Sequence, residues 1–252
     1  RHWLGRNMDT QPLEIGNRRE LFVDEGLLDR MTGDVRLQLH PPESAGKVLS
    51  LDAPWEGNTS FYPSIIADGE IYRMYYRGTG SPEYLVQKNL EAGEGDSLEK
   101  HAEHVCYAES RDGIHWEKPS LGLREWKGSK ENNILLLASD FEKTAAHNFT
   151  VFMDENPATP ESERYKAVGG LHELRGFVSA DGLKWRPICE EPLLTDGKFD
   201  SQNVVFWDGE CSRYVAVYRD FIHGVRTLKV AFSEDFLNWS AGQWVDYGDI
   251  PE

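Results

Sequence analysis

The sequence predicts an all-β chain, a β-propeller assembled from four-stranded antiparallel blades. Three observations predict it: a seven-residue phrase written three times, a strand–turn–strand element ahead of each copy, and a composition rich in rings, with 8 Trp, 10 Tyr and 11 Phe. Aromatic residues suit pleated, half-buried surfaces better than helical bundles.

The phrase reads Ser110-Arg111-Asp112-Gly113-Ile114-His115-Trp116, then Ser179-Ala180-Asp181-Gly182-Leu183-Lys184-Trp185, then Ser233-Glu234-Asp235-Phe236-Leu237-Asn238-Trp239. Self-similarity of this kind is the signature of a repeat architecture. Each copy follows a short β-type run, Val105–Ala108, Gly176–Val178 and Leu228–Phe232, so the Ser-x-Asp-Gly segment is the turn of a hairpin. Asp accepts backbone N–H groups within such a turn, and Gly tolerates positive φ. The Trp then opens the next strand and covers the turn.

Ahead of each copy a strand meets a turn and a Tyr-bearing strand returns. The three instances are Ile65 to Tyr76, Thr150 to Val168 across a polar loop, and Val204 to Tyr218. Two hairpins per repeat give four strands per blade, with blade one at about residues 57–120, blade two at about 146–190 and blade three at about 199–245. The three Trp lie farther apart than the roughly 40–50 residues of plain propeller repeats, which implies decorated loops. Residues 81–104, with weak hydrophobic periodicity and many charges, read as an insertion forming a loop or short helix. Residues 1–19 form an N-terminal extension. The propeller then runs over 20–252, led by strand-like Glu20–Asp24 and the alternating Val35–Leu39. Three blades are fewer than the four or more of closed propellers. The expectation is therefore a ring of five-bladed type, completed by polypeptide after Glu252 or by a second chain.

Asp and Glu outnumber Lys and Arg by 43 to 27, a formal charge of −16, which repels phosphate backbones and anionic lipid heads. Nucleic acid and membrane are thus excluded as expected partners, and no apolar stretch approaches the roughly 20 residues a spanning helix needs. Cys106, Cys189 and Cys211 have no metal or redox spacing and read as small buried apolar residues. No phosphate loop, nucleophile elbow, zinc-binding His-Glu-x-x-His or dinucleotide fingerprint is present. No cofactor is expected, a funnel metal ion is left open, and an extracytoplasmic location is favoured.

Taken together, Leu21–Asp24, Tyr72–Gly78, Tyr107–Trp116 and Phe199-Asp200-Ser201-Gln202-Asn203 make residues 20–252 resemble the five-bladed propeller glycoside hydrolases, the group holding glycoside hydrolase families 32, 43, 68 and 117 and their bacterial relatives. The resemblance implies a central funnel lined by the first strand of each blade, with acidic residues of the first three blades doing the chemistry. Cleaving a glycosidic bond takes one carboxylic acid to protonate the leaving oxygen and one carboxylate to attack or to activate water.

On that basis Asp200, at the start of blade three, is the expected acid or base, provided the strand begins irregularly. Glu56 or Asp52, ahead of blade one, is its partner, although the family's first acid falls closer to Ser60. In blade two Asn148 stands where the family has an acid; with His147 it would hold sugar hydroxyls. Arg77, Arg219, Asp220, His172 and Gln202 complete the expected binding residues, with Arg219 and Asp220 as a pair that orients the acids, grips hydroxyls or forms a salt bridge between blades. The expected function is hydrolysis of a furanoside or related linkage. The rival is a non-catalytic carbohydrate-binding or scaffolding propeller, favoured by the missing blade-two acid.

Overall fold

A computed structural model describes residues 16, 21, 27–81, 100–141 and 146–247. The chain divides into two units, residues 1–45 and 46–252. In the first, no described residue lies in a helix or strand. Val35, Leu37 and Leu39 are exposed, so the alternating run read as a leading strand is not one: no strand among the described residues pairs with it, and an unpaired run buries too little to hold itself extended. The other expected leading strand lies outside the described residues except for Leu21, as do residues 82–99 of the insertion and 248–252.

The described residues of the second unit form β-strands, turns and loops, apart from one short 3-10 helix at Glu161–Glu163. Blade one comprises β1 (Phe61–Asp68), β2 (Ile71–Gly80), β3 (His101–Ser110) and β4 (Trp116–Glu117), with β5 (Ile134–Leu137) added against β3. Blade two comprises β6 (Thr150–Met153), β7 (Tyr165–Gly169), β8 (Arg175–Ser179) and β9 (Arg186–Pro187). Blade three comprises β10 (Val204–Asp208), β11 (Arg213–Ile222), β12 (Val225–Ser233) and β13 (Gln243–Trp244). Every pairing is antiparallel between sequence neighbours, apart from the added β5, and no sheet closes on itself. The fold is that of successive propeller blades.

The repeated phrase makes the same turn three times. Ser110 Oγ accepts the amides of Asp112 and Gly113 at 3.2 and 2.9 Å, while Asp112 Oδ1 accepts those of Ile114 and His115 at 2.8 and 2.7 Å. In blade two Ser179 and Asp181 repeat all four bonds, and in blade three Asp235 accepts Leu237 and Asn238. The indole N–H groups of Trp116, Trp185 and Trp239 donate to the carbonyls of Gly113, Gly182 and Phe236 at 2.9, 3.1 and 2.9 Å. The residue after each Asp is left-handed, with φ of 74°, 72° and 68°. Phe236 accepts that strain because its ring is fully buried between blades two and three. Blade three departs in that Phe236 replaces the Gly, Ser233 Oγ accepts only the Asp235 amide at 3.3 Å, and the outer strand starts at Gln243, well after Trp239, whereas it starts at Trp116 in blade one and just after Trp185 in blade two.

The inner strands stand side by side, β1 against β6 and β6 against β10, and the Val151 amide donates to Ser64 Oγ at 3.2 Å. The cores lie between blades. Tyr75, Val105 and Tyr107 of blade one meet Val151, Ala167 and Phe177 of blade two. Phe152, Val168 and Leu174 of blade two meet Tyr214, Ala216, Tyr218 and Phe236 of blade three. The far side of blade one packs against Leu49, Leu51 and Trp55. This stacking of face on face brings the starts of the inner strands together. Among the described residues no helix is long and apolar enough to cross a membrane.

Candidate functional site at the starts of the inner strands

Each inner strand begins with an irregular stretch. In blade one the β1–β2 register slips between Phe61 and Ser64, and Tyr62 takes a φ of 56°. In blade two Asn148 takes a φ of 51°, two residues before β6, while the His147 carbonyl is fixed by the Gly170 amide at 3.0 Å. In blade three the chain bends at Asp200 and Ser201 around buried Asn203, whose Nδ2 donates to the carbonyls of Phe199 and Ser201 at 3.1 and 3.0 Å. Left-handed backbone at a bulky Tyr is costly and gathers at functional sites.

Strand alternation aims side chains at these starts. Arg77 shares a strand face with Tyr75, and Glu103 shares one with Val105 and Tyr107; all three apolar partners pack on blade two. Arg77 and Glu103 therefore point the same way. Arg77 donates to Asn148 Oδ1 at 2.9 Å, approaches Glu103 at 3.4 Å and lies 5.2 Å from the Tyr62 ring centroid. His147 Nδ1 meets both Glu103 oxygens at 2.7 and 2.8 Å. On the other side of the β1 start, Gln202 Nε2 donates to the Pro63 carbonyl at 3.2 Å, tying blade three to blade one. His147 Nε2 and Asn148 Nδ2 are buried and have no hydrogen-bond partner among the described residues.

Asp200 is half exposed and is paired with Arg219. Arg219 is held in place by its own backbone, since its carbonyl accepts the Lys198 amide at 2.8 Å. The irregular start expected for Asp200 is present, and the bend carries its carboxylate out from the strand.

Other expected site residues sit elsewhere. Glu56 is wholly buried: Tyr76 donates to one oxygen, and the other accepts the Ala53 amide at 2.8 Å and Lys118 Nζ at 2.7 Å. Asn133 Nδ2 donates to the Tyr76 hydroxyl at 2.7 Å, completing a latch that fastens residues 53–56 to blade one. Asp52 is exposed beside the same lysine at 3.4 Å. Asp220 does not pair with Arg219. As neighbours on β11 they face opposite sides, and Asp220 binds Lys229 at 2.7 Å. Burial works against the Asp220 anion, yet the Lys229 contact holds its carboxyl below the usual range. His172 is exposed in the turn after β7.

Glu103 was missed because residues 81–104 read as an insertion, whereas β3 begins at His101. The signal available was the alternation Glu103, Val105, Tyr107, which extends the strand backwards. Of the cysteines, Cys106 is buried as expected, but Cys211 is exposed in the β10–β11 turn. Among the described residues no three His, Cys, Asp or Glu side chains gather as a metal site. Two surface concavities, of about 500 and 200 Å³, lie beside the repeated turns of blades three and one.

No family model matches the chain. Two uncharacterized proteins from two strains of Mycobacterium tuberculosis are each 31% identical over 157 residues, covering 62% of this chain and 42% of theirs. The chain thus spans about two fifths of the length of the curated relatives it matches. Among solved structures, a glycosyl hydrolase from Bacteroides ovatus aligns with 73% of this chain and 49% of its own at 14% identity and a TM-score of 0.46. A fructofuranosidase from Schwanniomyces occidentalis aligns with 80% of this chain and 39% of its own at 13% identity and a TM-score of 0.45. Scores this low leave the fold to rest on the three blades themselves. The names of both neighbours belong to the class of enzymes that the sequence resembles.

Proposed function

We propose that the inner-strand starts form the sugar site of a glycoside hydrolase acting on a furanoside or related linkage. The observation that supports it most is Asp200: a half-exposed carboxylate, braced by Arg219, at the same end of the blades as Arg77 and Asn148. Asp200 acts as acid or base on the glycosidic bond. Arg77 and Gln202 hold hydroxyls, while Asn148 keeps Arg77 in place beside Glu103. Glu56 and Asp52 take no part, because Glu56 has no surface toward solvent and Asp52 belongs with Lys118 outside the latch. The substrate is carbohydrate, and the acidic surface argues against nucleic acid or anionic membrane as partners.

The rival reading, a carbohydrate-binding or scaffolding propeller, is favoured by Asn148 standing where an acid is expected. Both readings meet one experiment: wild type and Asp200→Asn assayed on a panel of furanosides and pyranosides. Catalysis predicts that the variant folds normally and loses about 10²–10⁴ in kcat. Sugar binding with no cleavage by the wild type selects the rival, whereas unchanged turnover in the variant removes Asp200 from the mechanism.

A further inference from the structure

We propose that Glu103 is the second carboxylate of the site, the general acid of the reaction, reaching from the third strand of blade one into the place that Asn148 leaves without a charge. This rests on the glycosidase reading above and names the partner that reading lacks.

Three observations carry it. Glu103 and Asn148 share one ligand, Arg77, at 3.4 and 2.9 Å, so the carboxylate lies beside the blade-two strand start although it comes from blade one. Glu103 is a quarter exposed, unlike Glu56, so it is held firmly while keeping a surface a substrate can reach. Its second ligand fixes its orientation: Nδ1 of His147 lies 2.7 Å from the carboxyl. His147 is then a positioning residue, and its buried Nε2 stays out of the reaction.

In the step, the proton on Glu103 passes to the glycosidic oxygen as the bond from that oxygen to the anomeric carbon breaks. Water gives its hydroxyl to the carbon and its proton to the carboxylate pair, so only water is consumed. Asp200, facing Arg219, is the member of the pair that serves the water.

The test compares two substrates of one sugar in the intact protein, an alkyl glycoside and a dinitrophenyl glycoside, whose phenolate departs without being protonated. Glu103→Gln should lower kcat on the alkyl glycoside by about 10²–10⁴ while leaving the dinitrophenyl glycoside within a few-fold of wild type. Glu103→Asp keeps the charge that Arg77 and His147 face but draws the carboxyl back by one methylene. It should show the same split and guards against a folding defect in the first variant. Equal losses on both substrates reduce Glu103 to a positioning residue and overturn the proposal, as does full activity on both. A wild type inert on every glycoside overturns the underlying reading instead, whereas an active wild type with an inactive Asp200→Asn and a fully active Glu103→Gln overturns Glu103 alone.

Discussion

The joint between blades one and two and the joint between blades two and three use one hydrogen bond in two surroundings. In each, the carboxylate closing a blade's first hairpin accepts the Tyr hydroxyl that opens the second strand of the next blade: Asp68 from Tyr165 at 2.5 Å, Asp154 from Tyr214 at 2.7 Å. Asp68 also holds two cations, Arg73 at 2.7 Å and the partly exposed Arg164 at 2.8 Å. Asp154 is fully buried with one cation, Lys166, itself 4% exposed, and the Thr159 hydroxyl at 2.5 Å. The same sequence element thus gives a solvent-relieved charge cluster in one joint and a sealed ion pair in the other. Water can relax the first if a member is lost, but it cannot reach the second.

That difference sets the order of expected effects. Asp154→Asn should be the most damaging, about 3–5 kcal/mol by denaturant unfolding, because Lys166 keeps a buried charge without its counter-ion. Phe236→Ala should follow closely at roughly 3–5 kcal/mol, since it empties the ring site beside Tyr214 and leaves a left-handed non-Gly residue. Asp68→Asn should cost only about 1–3 kcal/mol, as Arg164 can turn to solvent and Arg73 keeps the Asp181 carbonyl at 3.1 Å. An Asp68 variant as damaging as the Asp154 one would break the comparison.

Acid should sharpen it. Burial works against ionising Asp68, but hydrogen bonds from Tyr165 and Arg73 and the charges of both arginines outweigh it and hold the carboxyl below its ordinary value. A lowered carboxyl stabilises the fold above its unfolded pKa, near 3.9, and loses that contribution as pH falls through the folded value. His104 titrates earlier. Burial, reinforced by neighbouring His101, pushes it down to about 4, so its contribution is full above pH 6.5 and lost as pH falls toward 4. Unfolding measured against pH should therefore show a loss on the order of 3 kcal/mol between about pH 6.5 and 4 that His104→Gln removes, and a further loss below pH 4 that Asp68→Asn removes. The smallest effects should be Tyr165→Phe and Tyr214→Phe, each about 1 kcal/mol, with Tyr214, whose partner Asp154 has no exposed side-chain surface, the larger.

The blades were legible because the repeated turn is local chemistry: Ser, Asp and Trp satisfy one another within seven residues, and three copies announce three hairpins. The leading strand at Val35–Leu39 was misread because alternation alone does not supply a partner. At the site, Asp200 could be placed from its position ahead of a strand, and Asn148 from its rank among the inner-strand starts. Glu56 misled because a carboxylate beside Trp55 reads the same in sequence whether it meets solvent or Tyr76 and Lys118. Glu103 escaped because its role depends on β3 running back to His101 and on which face meets blade two, facts that only the inter-blade packing reveals.

A crystal structure of the intact protein with a furanose-mimicking inhibitor tests the central claim most directly. The account predicts the sugar ring at the inner-strand starts, within hydrogen-bond reach of Asp200 and Gln202. A sugar seated instead in the concavity lined by Arg213, Asp235 and Asn238, with the strand starts untouched, would contradict it.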